Sequence, residues 1–224
     1  MLPYTRILSA PKTVLFALAL GAVFLLPPQP AGAQVTAFKQ AVAESGSRDE
    51  DIAKFYRSNN FEGIWTGAED IHVARRAALL DALRHAGDHG LPVARYDTAA
   101  LERQMRDARS ARDLGMIEVE MTRMFLQYAR DIQSGALVPG QVLNAIKREV
   151  EYTDRAELIA GLLSAQPAAY LRGLAPRTVE YAALLKQKML LKEQARNGGW
   201  GPTVNAGSLK PGDSGPAVLA LRNR

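Results

Sequence analysis

The sequence predicts an all-α protein built as a helical bundle, and three observations carry that prediction. Apolar residues recur at three- and four-residue spacing in segment after segment. Capping residues and Gly or Pro punctuate those segments. Strict apolar/polar alternation of the kind a half-buried strand shows is almost missing.

The elements follow in order. Ser47-x-x-Glu50 reads as a capping box opening a segment with Ile52, Phe55 and Tyr56 on one side, which breaks at Ser58-Asn59-Asn60. Phe61-Glu62-Gly63-Ile64-Trp65 is too short and too Gly-flanked to be more than a turn or a short strand. A helix from about Asp70 to Ala86 aligns Leu79, Leu80, Leu83 and Ala86, with Gly87 as its end. After Gly90-Leu91-Pro92 comes a short helix with Leu101, Met105 and Ala108. Ser110-x-x-Asp113 then caps the best-patterned segment, where Met121, Met124, Phe125, Tyr128 and Ile132 form a core stripe that Gly135 closes. Asp154-x-x-Glu157 caps a helix bearing Leu158, Leu162 and Leu163 up to Pro167. Pro176 is placed to start a last long helix through Leu185 and Met189 to Asn197-Gly198-Gly199. Beyond a loop at 198–207, Asp213 or Ser214 is expected to cap a helix carrying Val218 and Leu221. The predicted core includes Leu83, Phe125, Tyr128 and Leu162.

The N-terminus reads as a leader for export. Arg6 and Lys12 precede the apolar run Val14 to Leu26, Pro27 and Pro28 stop it, and Ala31-Gly32-Ala33 fits signal peptidase, with cleavage expected after Ala33. That apolar run is short of the roughly 20 residues a membrane-spanning helix needs, so no stable span is expected after cleavage. The domain reading is therefore a signal peptide at 1–33, a flexible segment at 34–46, a helical scaffold at 47–200, and a linker with a partial module at 201–224. The chain has no cysteine, so it can neither be acylated as a lipoprotein nor supply a thiolate. An exported domain without disulfides must rely on its packed core.

Charge is unevenly placed. From Arg172 onward nine Lys and Arg stand against Glu180, Glu193 and Asp213, a net of +6. Such a segment reads first as a solvated helix face; an anionic neighbour such as cell-wall polymer or a lipid surface is the alternative it suits, and nucleic acid is not the expected partner.

No catalytic, cofactor-binding or metal-ligating residue emerges from the pattern. Gly212-Asp213-Ser214-Gly215-Pro216 spells the nucleophile motif of chymotrypsin-like proteases, but those enzymes are double β-barrels and the strands are missing, so Ser214 is read as a capping residue. His85 and His89 have a four-residue spacing with Asp88 between them. Gly87 and Gly90 break that helix, and no third ligand is evident. His72 lies on a helical segment. Glu118 and Glu120 are read as helix-surface carboxylates that cannot face each other at i, i+2.

Three stretches together resemble the non-catalytic N-terminal part of murein L,D-transpeptidases of the YcbB type. Phe55-Tyr56-Arg57 with Asn60 and Ile64-Trp65 is the first. Ala86 to Pro92, containing His89-Gly90-Leu91, followed by Tyr96, is the second. Glu120-Met121-Thr122 through Tyr128, Asp131-Ile132, Gly135 and Pro139 is the third, and Leu162-Leu163, Pro167, Tyr170 and Leu174 extend it. The segment Leu209 to Gly215 with Val218 and Leu221 is similar to the opening of the small helical peptidoglycan-binding module of the same proteins, so the chain is expected to stop inside that module. The resemblance implies an exported, periplasmic scaffold with peptidoglycan as partner and a catalytic Cys domain further on. No cofactor and no catalytic residue carries over to this sequence. A self-sufficient secreted helical adaptor for a protein partner is the alternative.

Overall fold

A computed structural model describes residues 31–143, 145, 147 and 149–223. Residues 1–30 of the leader read over 1–33 lie outside the described residues. Within them the protein is all-α: α1 Ala31–Gly46, α2 Glu50–Ser58, α3 Asp70–Arg84, α4 Thr98–Asp107, α5 Ala111–Ser134, α6 Pro139–Val142, α7 Arg155–Ser164, α8 Pro167–Gly173, α9 Val179–Arg196 and α10 Pro216–Arg222. Short 3-10 turns occupy Ala86–His89 and Val93–Arg95.

Helix α5 is the axis of the bundle. Its apolar residues follow the 3.6-residue period closely enough to bury Met121, Phe125, Tyr128 and Ile132 on one stripe. α1, α2, α4 and α7 pack around it, and α3 lies on α8. The core joins Ile52 and Tyr56 of α2, Leu79 and Leu83 of α3, Leu158 and Leu162 of α7 and Leu171 of α8 to that stripe, with Trp65 fully buried between α2 and α3. Leu83, Phe125, Tyr128 and Leu162 are all in it, as the periodicity predicts.

Several local expectations need correction. The segment 34–46, expected to be flexible, forms most of α1. Its Ala41 and Val42 are buried, because Gly115 of α5 lets the two backbones touch: a Cβ there would stand 2.6 Å from the Phe38 carbonyl oxygen. The Ala31-Gly32-Ala33 site occupies the first turn of this helix. The α2 cap is Asp49, whose carboxylate accepts from Ile52 N–H at 3.2 Å, while Ser47 instead donates to the Glu44 carbonyl. Helix α3 ends at Arg84, before Gly87, and the left-handed residue that closes the following turn is Gly90 (φ 83°). α9 starts at Val179 behind Thr178, because the threonine hydroxyl accepts from Tyr181 N–H and Pro176 stays outside. The Ser110/Asp113 capping box forms as expected, and Asp154 caps α7 as expected by accepting from Ala156 and Glu157 N–H.

Three of the described helices, α6, α9 and α10, bury no residue. α9 presents Leu184 and Met189 at 71% and 70% exposure. It is held to the turn Ala86–His89 by polar contacts: Lys188 donates to the Gly87 and Asp88 carbonyls, Lys192 pairs with Asp88 at 3.3 Å, and Tyr181 meets His89 Nδ1 at 2.7 Å. α10 has neither a buried residue nor a side-chain cap. Gly215 stands at its N-cap, and Asp213 accepts from Lys210 N–H, so neither Asp213 nor Ser214 caps the helix.

Replacing the fully buried Phe125 by Ala should cost on the order of 3–5 kcal/mol in denaturant unfolding. Deleting residues 201–224, of which none described is buried, should move the melting midpoint by less than about 4 °C, the shift of roughly 1 kcal/mol in a domain of this size. A larger loss on deletion would make the tail integral to the fold.

Candidate functional site

The polar centre of the molecule is Glu118, fully buried in the middle of α5. Sequence spacing places it on the helix surface, and the structure overturns that. Its face is covered by the irregular loop after α2, which has no helix or sheet to satisfy its backbone and borrows this carboxylate instead. Glu118 Oε1 accepts from Ile64 N–H at 2.6 Å and Trp65 N–H at 3.2 Å. Oε2 accepts from Thr66 N–H at 2.9 Å and the Thr66 hydroxyl at 2.8 Å. Gly63 permits the approach, since a Cβ there would stand 3.0 Å from Oε2.

The carbonyl side of the same loop is held from α3. Arg75 donates to the Ile64 carbonyl at 3.3 Å, and Arg76 donates to those of Trp65 and Gly67. Burial pulls both guanidiniums below their ordinary range, and the negative charge of Glu118 opposes it. The loop is thus clamped between one carboxylate and two cations.

Donor directions within the network follow from the carboxylate's being acceptor-only. The Tyr56 phenol donates to Glu118 Oε1 at 2.9 Å and lies 2.6 Å from the Thr122 hydroxyl, which accepts from Trp65 Nε1 at 2.8 Å. Burial, then the Glu118 charge, pushes the Tyr56 pKa far above a normal phenol's, so it stays a proton donor. A second buried carboxylate, Asp131, stands further along α5. It accepts from Arg95 Nε at 2.7 Å and the Tyr96 hydroxyl at 2.8 Å, and Tyr96 also packs edge-on against Tyr128.

The other sequence candidates do not converge. His85 caps α3 and contacts the Asp81 carbonyl, whereas His89 stacks on Tyr181 of α9. His72 lies against Gly67 on α3, and Ser214 is exposed in the loop before α10. Glu120 pairs with Arg123 on the half-exposed side of α5. Among the described residues no group of three His, Cys, Asp or Glu side chains could hold a metal ion. Sequence reasoning missed Glu118 and Asp131 as buried acceptors. The available signal was their position on the apolar side of α5, Glu118 four residues before Thr122 and Asp131 three residues after Tyr128.

The family model described as the Scaffold domain matches residues 50–187, more than half of the chain. The chain belongs to the Scaffold-domain family. No curated protein and no solved structure matches it. The match begins at the first residue of α2, so α1 lies outside it although α1 packs directly on α5. Within the scaffold domain, both carboxylate clamps join segments distant in sequence. Glu118 ties the 56–66 region to α5, and Asp131 ties the 95–96 turn to it.

Replacing Glu118 by Gln turns one acceptor into a donor facing N–H groups. Removing one partner of a buried charge network typically costs about 3–5 kcal/mol, and denaturant unfolding of Glu118→Gln should show a loss of that order.

Asp49 joins α2 to α7 through Arg155, at 2.7 Å. Burial acts to raise its pKa, but the hydrogen bonds from Arg155 and Ile52 N–H outweigh it and hold the carboxyl below its ordinary range. The stabilisation is therefore complete above the unfolded value of about 3.9 and is lost as pH falls through the depressed folded value. The stability gap between the protein and Asp49→Asn should be constant from pH 7 to 5 and shrink below about pH 4.

Proposed function

We propose that this protein is the exported, non-catalytic helical scaffold of a murein L,D-transpeptidase, serving peptidoglycan cross-linking and wall remodelling in the periplasm. One observation carries the reading: residues behind the resemblance are those used as joints of the fold. Tyr56, Trp65 and Thr122 meet through Glu118, Tyr96 is bonded to Asp131, and the Tyr170 hydroxyl donates to the Leu158 carbonyl at 2.9 Å. A motif consumed in holding segments together fits a domain that positions others and performs no reaction itself. The family description agrees with that role.

Further support comes from composition. The 224 residues hold no cysteine, so a thiolate nucleophile for acyl transfer cannot come from them. The leader-like N-terminus and the Ala31-Gly32-Ala33 site support export. No helix among the described residues is long and apolar enough to cross a membrane. On this reading Leu209 to Arg222 opens a peptidoglycan-binding module, and the exposed, basic α9 leads into it.

The reading frame beyond the Arg224 codon tests the proposal, which expects an intact binding module followed by a Cys-containing domain. A stop codon at that point favours the secreted adaptor and overturns it. Purified protein should also take no covalent label from a carbapenem or a fluorophosphonate. Labelling lost on Ser214→Ala would overturn the non-catalytic assignment.

A further inference from the structure

Two adjoining clefts lie along the second half of α5 and just past its end, and they share Arg95 and Arg130. The first, about 620 Å³, lies between α5 and the start of α7. That size falls within the roughly 300–1,000 Å³ typical of small-ligand sites. Its lining is rich in cations: Arg95, Arg123, Arg130 and Arg155 surround the carboxamides of Gln127 and Gln133. The second continues past the end of α5 and is lined by Leu137, Val138 and Val142, with Leu137 72% exposed.

Most of these guanidiniums already have partners. Arg95 pairs with the buried Asp131, Arg123 with Glu120, and Arg155 with Asp49 and Asp51. Arg130 has no carboxylate partner among the described residues. It is exposed, its guanidinium carbon lies 4.5 Å above the Tyr152 ring, and one Nη2–H reaches the Tyr152 hydroxyl at 3.2 Å. A guanidinium carries five donors, so a tyrosine that takes one leaves a pre-oriented edge for a carboxylate. Stacking also limits the rotamer entropy that an arginine loses on binding. The site therefore offers a fork for a planar anion where a polar arm and an aliphatic arm meet.

We propose that this double cleft binds a short extended peptide, placing a carboxylate on Arg130 and small aliphatic side chains along Leu137, Val138 and Val142. The three ion-paired arginines fix the walls, and their partners keep the cleft from being a general anion sink. A bidentate carboxylate uses the arginine's planar geometry as well as its charge. The apolar arm excludes a ligand that is ionic throughout. The inference rests on the cleft alone and is independent of whether a catalytic domain follows.

The test is a titration of the full chain with the acetylated tripeptide Ala-Glu-Ala bearing a free C-terminus, alongside Ala-Gln-Ala amide and inorganic phosphate. The acidic peptide should bind with a dissociation constant below about 1 mM, with the neutral peptide and phosphate at least tenfold weaker. Arg130→Ala and Arg130→Lys should each weaken binding about tenfold or more, the lysine variant because it keeps the charge and loses the fork. Both should retain the melting midpoint, since Arg130 is exposed. If Arg130→Ala melts early, Arg130→Lys decides the outcome. Equal binding by the variants, equal binding of the neutral peptide, or phosphate binding as tightly as the acidic peptide would each overturn the proposal.

Discussion

A single buried carboxylate, Glu118, determines how the first third of the described chain can pack. Residues 63–67 form no regular element, so their backbone donors would be orphaned against the core. Three of those N–H groups converge on Glu118, and three carbonyls of the same stretch face Arg75 and Arg76. Once the loop is so held, Trp65 can be fully buried with its indole N–H paired to Thr122. The large apolar gain of that tryptophan depends on the polar clamp beneath it. Buried charge alone is costly; here it is offset because nearly every lone pair of the carboxylate meets a donor.

The stability of the molecule is graded along the chain. α1 to α5, α7 and α8 share one apolar core, and opening any of them exposes it. α9 instead rests on lysine, aspartate, histidine and tyrosine contacts, with Leu184, Met189, Leu190 and Leu191 outward. Exposed ion pairs contribute little, so α9 has a low cost of local release. A helix that can detach while the core remains closed suits a junction between a rigid scaffold and whatever it positions.

Both clamps and the arginine cleft are built on α5, which gives the scaffold one ruler. Glu118 and Thr122 set the loop and tryptophan, and Asp131 sets the Arg95 turn. Arg130, next in sequence to Asp131, points to the opposite environment, exposed over Tyr152. Successive residues on a helix are about 100° apart, and that rotation separates a joint of the fold from a candidate ligand fork.

The sequence alone determined the helical class, the α5 stripe, the caps at Ser110 and Asp154 and the burial of Leu83, Phe125, Tyr128 and Leu162, because these follow from local periodicity and capping chemistry. It also determined that no thiolate lies in these residues. Only the tertiary structure decided that Glu118 is buried, since its donors come from residues more than fifty positions away. The same holds for α1, whose weakly amphipathic segment becomes a helix against the Gly115 face, and for α9, whose apolar residues stay outside. A helical stripe can be read from spacing within one segment. Whether another segment arrives to cover it, or brings unpaired N–H groups to a carboxylate on it, depends on chain topology that local pattern does not encode.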